Sequence, residues 1–149
     1  MNPGVDTSGF GEGLRVVASD LDREGRSPLH YAANDGNVQS VRQLLAQGYS
    51  ARHADGRGWT PLHFAAQAAS VEVIAALLDA GAEVDGRDEL GNTPLLHAVF
   101  NSRGNGDAIE LLRSRGADPH ARNAHGQTPL GLARLIANYD VARYFRDLP

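Results

Sequence analysis

Cysteine is absent from the 149 residues, and so is lysine. Without thiols the chain has no disulfide scaffold, no thiolate nucleophile, no zinc–thiolate centre and no iron–sulfur cluster. Without lysine amines it has no Schiff-base chemistry, no Ser–Lys pair and no phosphate-loop lysine. All fourteen basic residues are arginines, set against eighteen acidic ones, for a formal net charge of −4. That balance argues against non-specific nucleic-acid binding, which needs a concentrated positive face to release counterions. Long apolar runs are missing too, and no stretch approaches the ~20 residues of a membrane-spanning helix. Met1 to Gly9 carry neither a basic run nor an apolar core and do not read as a secretory signal. The expectation is a cytoplasmic protein without membrane association. Arginine-only usage beside abundant Ala and Gly suggests GC-rich coding and a bacterial source.

Internal repetition dominates what is present. Asp22-Arg23-Glu24-Gly25-Arg26-Ser27-Pro28-Leu29-His30-Tyr31-Ala32-Ala33 aligns with Asp55-Gly56-Arg57-Gly58-Trp59-Thr60-Pro61-Leu62-His63-Phe64-Ala65-Ala66. Two further segments, beginning at Asp88 and at Asn123, follow the same pattern. The prolines fall at positions 28, 61, 94 and 129, so the spacings are 33, 33 and 35. Gly25, Gly58, Gly91 and Gly126 supply the backbone freedom of a tight turn. Ser27, Thr60, Thr93 and Thr128 are placed as helix N-caps, each followed by proline at the first helical position. A second helix is predicted in each unit, carried by Val38, Val41, Leu44 and Leu45, then by Val71, Ile74, Leu77 and Leu78. Ile109 and Leu112 continue it in the third unit, and Val141 and Phe145 in the fourth. Gly48, Gly81 and Gly116 read as the glycines that end those helices.

These units resemble the ankyrin repeat family. The family's T-P-L-H-x-A pattern is complete at Thr60 to Ala65 and conservative at Ser27 to Ala32. It departs at Leu96 and at Gly131, which predicts less regular third and fourth units. The resemblance implies an all-α repeat fold, an ankyrin solenoid of helix-turn-helix units joined by β-hairpin-like loops. The expected division is 22–54, 55–87, 88–122 with a two-residue insertion, and a capping unit over 123–149. The cap's second helix is polar, with Asp140, Arg143, Arg146 and Asp147. Gln39, Arg42, Gln43 and Gln47 give the first unit an exposed outer face. Residues 1–21 form a flexible start in which Phe10, Leu14, Val17 and Leu21 make either a short covering helix or an irregular strap.

A search for chemistry returns little. No His pair has the spacing of a helical zinc site, and no His-Glu-x-x-His occurs. The resemblance implies structural roles for His30 and His63, while His53, His97, His120 and His125 are expected in loops or at the surface. Asp20-Leu21-Asp22 begins like a calcium loop, but Tyr31 stands where the bidentate Glu belongs. Asp88-Glu89 falls on a hairpin tip, where a solvated carboxylate pair is expected. No enzyme, cofactor or metal follows.

The family resemblance implies a protein partner held in the concave groove by hairpin tips and first helices. Carried over by position, the candidates are Arg23, Arg26, Asn34, Asp35, Arg57, Trp59, Gln67, Leu90, Asn92, Phe100, Asn101, His125, Gln127, Leu135 and Ile136. Arg26, Arg57 and Trp59 are expected side by side across two fingers, Trp59 largely exposed or else folded onto a neighbour. The inserted loop at 101–106 either reflects drift or lengthens the groove beside Phe100. One groove suits masking a single target, as a monomer or in a heterocomplex. In the family's small bacterial members this includes immunity proteins that neutralise a cognate toxin. An adaptor fragment or a secreted effector is the alternative.

Overall fold

The structure, a computed structural model, describes residues 20–149. Phe10, Leu14 and Val17, and with them the expected N-terminal helix or strap, lie outside the described residues. From residue 20 onward the chain repeats one device. Helices α1 (Pro28–Asn34), α3 (Pro61–Gln67), α5 (Pro94–Phe100) and α7 (Pro129–Leu135) each begin with proline. Ser27, Thr60, Thr93 and Thr128 cap them by accepting the backbone N–H of Leu29, His63, Leu96 and Gly131. Helices α2 (Val38–Ala46), α4 (Val71–Asp79) and α6 (Asp107–Ser114) return in the opposite direction. Gly48, Gly81 and Gly116 end them at φ of 97°, 96° and 93°, a conformation that favours glycine.

The helices form two layers. α1, α3, α5 and α7 stack in one, and α2, α4 and α6 in the other. The core between them is built from the periodic apolar positions. Leu29, Leu62, Leu95 and Leu130 come from the first layer, and Val41, Ile74, Leu77, Ile109 and Leu112 from the second. Each helix is too short to be stable alone, so stability comes from stacking against neighbours. Val71, expected as part of this face, is instead more than one-third exposed.

Fingers project where one unit meets the next. Asp55 N–H donates to Trp59 O (2.8 Å) and Asp88 N–H to Asn92 O (3.0 Å), closing each tip. Single backbone bonds then link tip to tip: Gly56 N–H to Glu24 O (2.7 Å), Glu89 N–H to Arg57 O (2.9 Å) and Ala124 N–H to Leu90 O (2.8 Å). Among the described residues these bonds do not extend into strands.

The last unit departs from expectation. Val141–Phe145 is a 3₁₀ helix and not a second α-helix. Asp140 makes no capping bond there, and the carbonyl of Tyr144 is taken by Arg113 Nη1 at 2.9 Å, outside any helical ladder. The third unit, in contrast, is regular at its first helix, since α5 matches α1 and α3 in length despite Leu96. The inserted loop divides its roles: Asn101 lines the concavity beside Phe100, and the rest of the loop packs on the C-terminal segment. Tyr144 Oη donates to Gly104 O at 2.8 Å, and Gly104 abuts the ring of Tyr139, so the loop is a seat for the C-terminal cap. A methyl group on Gly106 would overlap the Tyr144 ring. Gly106→Ala is therefore expected to lower stability by about 1–3 kcal/mol through displacement of that ring. Unchanged thermal unfolding would show that the seat is dispensable.

Candidate functional site

Each finger turns around one side chain. Asp55 Oδ1 accepts the N–H groups of Arg57 and Trp59, and Asp88 Oδ1 accepts those of Leu90 and Asn92. Asn123 Oδ1 does the same for His125 and Gln127. These short side chains replace a backbone turn, which is why Asp or Asn opens every unit. Asp88 is accordingly buried, contrary to the expected solvated pair, while Glu89 is exposed.

Two buried histidines bolt the fingers to the helices. Thr60 N–H donates to His63 Nδ1 (3.1 Å), so that nitrogen must be the acceptor and Nε2 carries the proton. His63 Nε2 then donates to Asn92 O of the next finger at 3.0 Å. His30 repeats the arrangement between Ser27 N–H and Trp59 O. Both roles require the neutral ring. Burial lowers the pKa of His30 and brings that of His63 down to about 4. The unfolded chain, with an ordinary value near 6.5, then binds protons more readily than the folded one. Stability should be level above pH 6.5 and fall as pH drops toward 4, with His63 alone accounting for roughly 3 kcal/mol. Urea unfolding at pH 7 and pH 4.5 measures this, and equal midpoints would contradict it.

One residue further along each first helix, the side chain rotates about 100° onto the concave face. Tyr31, Phe64, His97 and Leu132 occupy this position in the four units. Tyr31 Oη donates to Asp22 Oδ2, and His97 Nε2 donates to Asp88 Oδ2 at 3.1 Å. Phe64 has no donor, and the second oxygen of Asp55 is served instead by Arg26 Nε at 3.1 Å. Burial lowers the pKa of His97, the Asp88 carboxylate opposing the shift, so its ring is neutral at neutral pH.

His97 and Trp59, with ring centroids 4.3 Å apart, share a concavity of about 360 Å3. Leu96, Phe100 and Leu132 supply the rest of its apolar lining, and Gln67, Asn92, Asn101, Asn123, His125 and Gln127 its polar lining. Among the described residues its lining holds no hydroxyl, thiol or amine nucleophile beside the His97–Asp88 pair. His63, Asp88 and His97 also place ligand-type atoms within 4.8 Å of one another. Both nitrogens of His63 are already committed to the cap and to Asn92 O, so a cation would have to displace bonds that hold the fold.

The concavity gathers Trp59, Gln67, Asn92, Phe100, Asn101, His125 and Gln127 from the sequence candidates. Arg23, Asn34, Asp35 and Arg57 are exposed outside it. Leu90 and Leu135 are exposed away from its lining, and Ile136 is half-buried against the core. Two expectations change, and of the two alternatives for Trp59 the packed one is found. Trp59 is half-buried, its ring packed on Phe64 at 4.8 Å, because the next unit's His97 closes over it. Arg26 is not free beside Arg57 and Trp59, since it pairs with Asp55 and lies 5.3 Å above the Phe64 ring. His97 belongs to a helix and is half-buried, not a loop or surface residue. Leu96, Asn123 and Leu132 also line the concavity and are not among the sequence candidates. The register of the repeat marks Leu132, as it does His97, because both align with Phe64.

No helix among the described residues is long and apolar enough to cross a membrane. Comparison with curated proteins finds no match. The paired antiparallel helices, proline-started first layer and histidine-bolted fingers agree with a family model of ankyrin repeats, which matches residues 29–123 in three copies. The chain belongs to the ankyrin repeat family, whose repeats are protein–protein interaction modules.

Proposed function

We propose that the protein is a non-catalytic module that captures one partner protein in the concavity between Trp59 and Phe100. The observation that carries this reading is Phe100, a phenylalanine 70% exposed at the rim of a concavity floored by a tryptophan. Exposed aromatic area beside a concavity is favourable to a partner and unfavourable in water. The polar lining is five amide side chains with His97 and His125 and no arginine, suited to directional contacts and poorly suited to holding a phosphate backbone. Masking a single target is the action such a site supports, as in an inhibitor or an immunity protein acting on a cognate toxin in the cytoplasm.

The test uses exposed residues, because Trp59 is also packed. Immobilised wild-type protein and its Phe100→Asp variant are presented with lysate of the source organism. The expected result is one protein retained by the wild type, with at least about tenfold weaker retention by the variant. Thermal unfolding should stay within about 0.5 kcal/mol, as for a surface change. Equal retention by both proteins overturns the concave-face reading.

A further inference from the structure

His97 carries one nitrogen that the fold does not use. Nε2 is spent on Asp88 Oδ2. Asp88 is an acceptor on both oxygens, because Oδ1 already takes two backbone N–H groups. The proton of the neutral ring therefore sits on Nε2, and Nδ1 presents a lone pair. Nδ1 has no hydrogen-bond partner among the described residues, yet it is not sealed from water. Only 12% of the His97 side chain is exposed, and His97 is one of the residues that line the concavity. The unused acceptor thus belongs to a ring that lines an aromatic and aliphatic concavity with Trp59, Leu96, Phe100 and Leu132.

We infer that this enclosure is a subsite for a tyrosine side chain of the partner protein, its hydroxyl donating to His97 Nδ1. The inference rests on the concave-face reading above and names the group that enters. A Phe or Leu side chain would bury the lone pair without a donor, which is costly. An arginine would bring a charge to a place where the nearest carboxylate, Asp88, is already satisfied. A tryptophan would donate only. A phenol hydroxyl both donates to Nδ1 and accepts from an amide, and the side-chain amides of Gln67 and Gln127 make no hydrogen bond among the described residues. A volume of about 360 Å3 admits one large side chain.

The chain offers its own control for the tautomer. Asn123 stands in the fourth unit where Asp88 stands in the third, and its Oδ1 accepts the same pair of backbone N–H groups. Asp88→Asn should therefore keep the turn while aiming an amide N–H₂ at His97 Nε2. That moves the ring proton to Nδ1 and turns the acceptor into a donor.

The probes are p-cresol, which is the tyrosine side chain alone, and 4-methylanisole, which lacks the donor. Binding is read from Trp59 fluorescence and from the His97 ring resonances. Wild type should prefer p-cresol by about tenfold, the worth of one hydrogen bond. In Asp88→Asn the ring nitrogen resonances should report the other tautomer and the preference should fall to about unity. His97→Phe, which copies Phe64 at the same repeat position, should lose the preference too and decides the matter if Asp88→Asn does not fold. No saturable p-cresol binding, equal binding of both probes by the wild type, or a preference that survives in the variants overturns the tyrosine subsite. Partner capture without a p-cresol preference removes the tyrosine and leaves the concave-face reading standing. A p-cresol preference without partner capture supports the subsite and removes the concave-face reading.

Discussion

Alanine at His63 is expected to lower the stability of the array by about 3–5 kcal/mol, summed from a core truncation and newly unpaired polar groups. His63 is fully buried, and it is shared by two units. Its loss opens a cavity beneath the second finger. It also strips the acceptor from Thr60 N–H and the donor from Asn92 O, both only part-buried groups, which keeps the total below a full sum of such terms. A leucine at the same site separates the two contributions. The third unit already carries Leu96 there, buried at 6% exposure, with α5 intact. His63→Leu should therefore cost clearly less than His63→Ala, leaving the unpaired bonds as the remaining loss. Denaturant unfolding of the three proteins at pH 7 measures the series. Equal losses would mean that packing contributes little at this site and the bonds dominate.

The same residue shows why part of the molecule is legible in its sequence. Ser27, Thr60, Thr93 and Thr128 beside proline identify helix starts by a local rule, since cap and proline act within one turn. All four are found as caps. Glycine after Leu44-Leu45 and Leu77-Leu78 identifies helix ends by the same kind of rule. The repeat period then orders the units, and the fold follows from their stacking. The site is less legible because most of the bonds that frame it join neighbouring units, 29 to 31 residues apart in the chain. Spacing rules for metal or catalytic histidines look along one helix, and they pass over His97 and Asp88. The informative signal is the column Tyr31, Phe64, His97, Leu132, in which an imidazole appears among a phenol, a phenyl and a leucine side chain on the concave face. The choice between an exposed and a packed Trp59 stays open in the sequence for a related reason. Its ring packs on Phe64 of its own unit and is closed over by His97 of the neighbouring one, a contact that needs the stack. Arg26 and Asp55 lie on consecutive fingers, and their pairing needs the stack to be in place.

The second large effect is expected at the other end of the stack. Phe145→Ala should cost about 3–5 kcal/mol, the usual range for a fully buried aromatic ring. Phe145 is 1% exposed and sits in a five-residue 3₁₀ helix that has little stability of its own. Arg113 of α6 holds the segment from outside. Its guanidinium lies 5.1 Å from the Phe145 ring centroid, bonds Tyr144 O, and pairs with both oxygens of Asp147 at 2.8 Å. Without the ring, that clasp has no core side chain beneath it. Contacts in a repeat array reach only to the neighbouring unit, so the loss should stay at the C-terminal end. Backbone amides of α7 and of residues 141–149 should then exchange about 10²–10³ times faster, matching the lost free energy, while those of α3 keep wild-type rates. The lone tryptophan gives a second reading, because Trp59 reports on the second and third units. In the variant its fluorescence midpoint should lag the loss of helix seen by circular dichroism. Coincident midpoints and uniform acceleration of exchange would instead make the array one cooperative block, with Phe145 coupled to every unit in it.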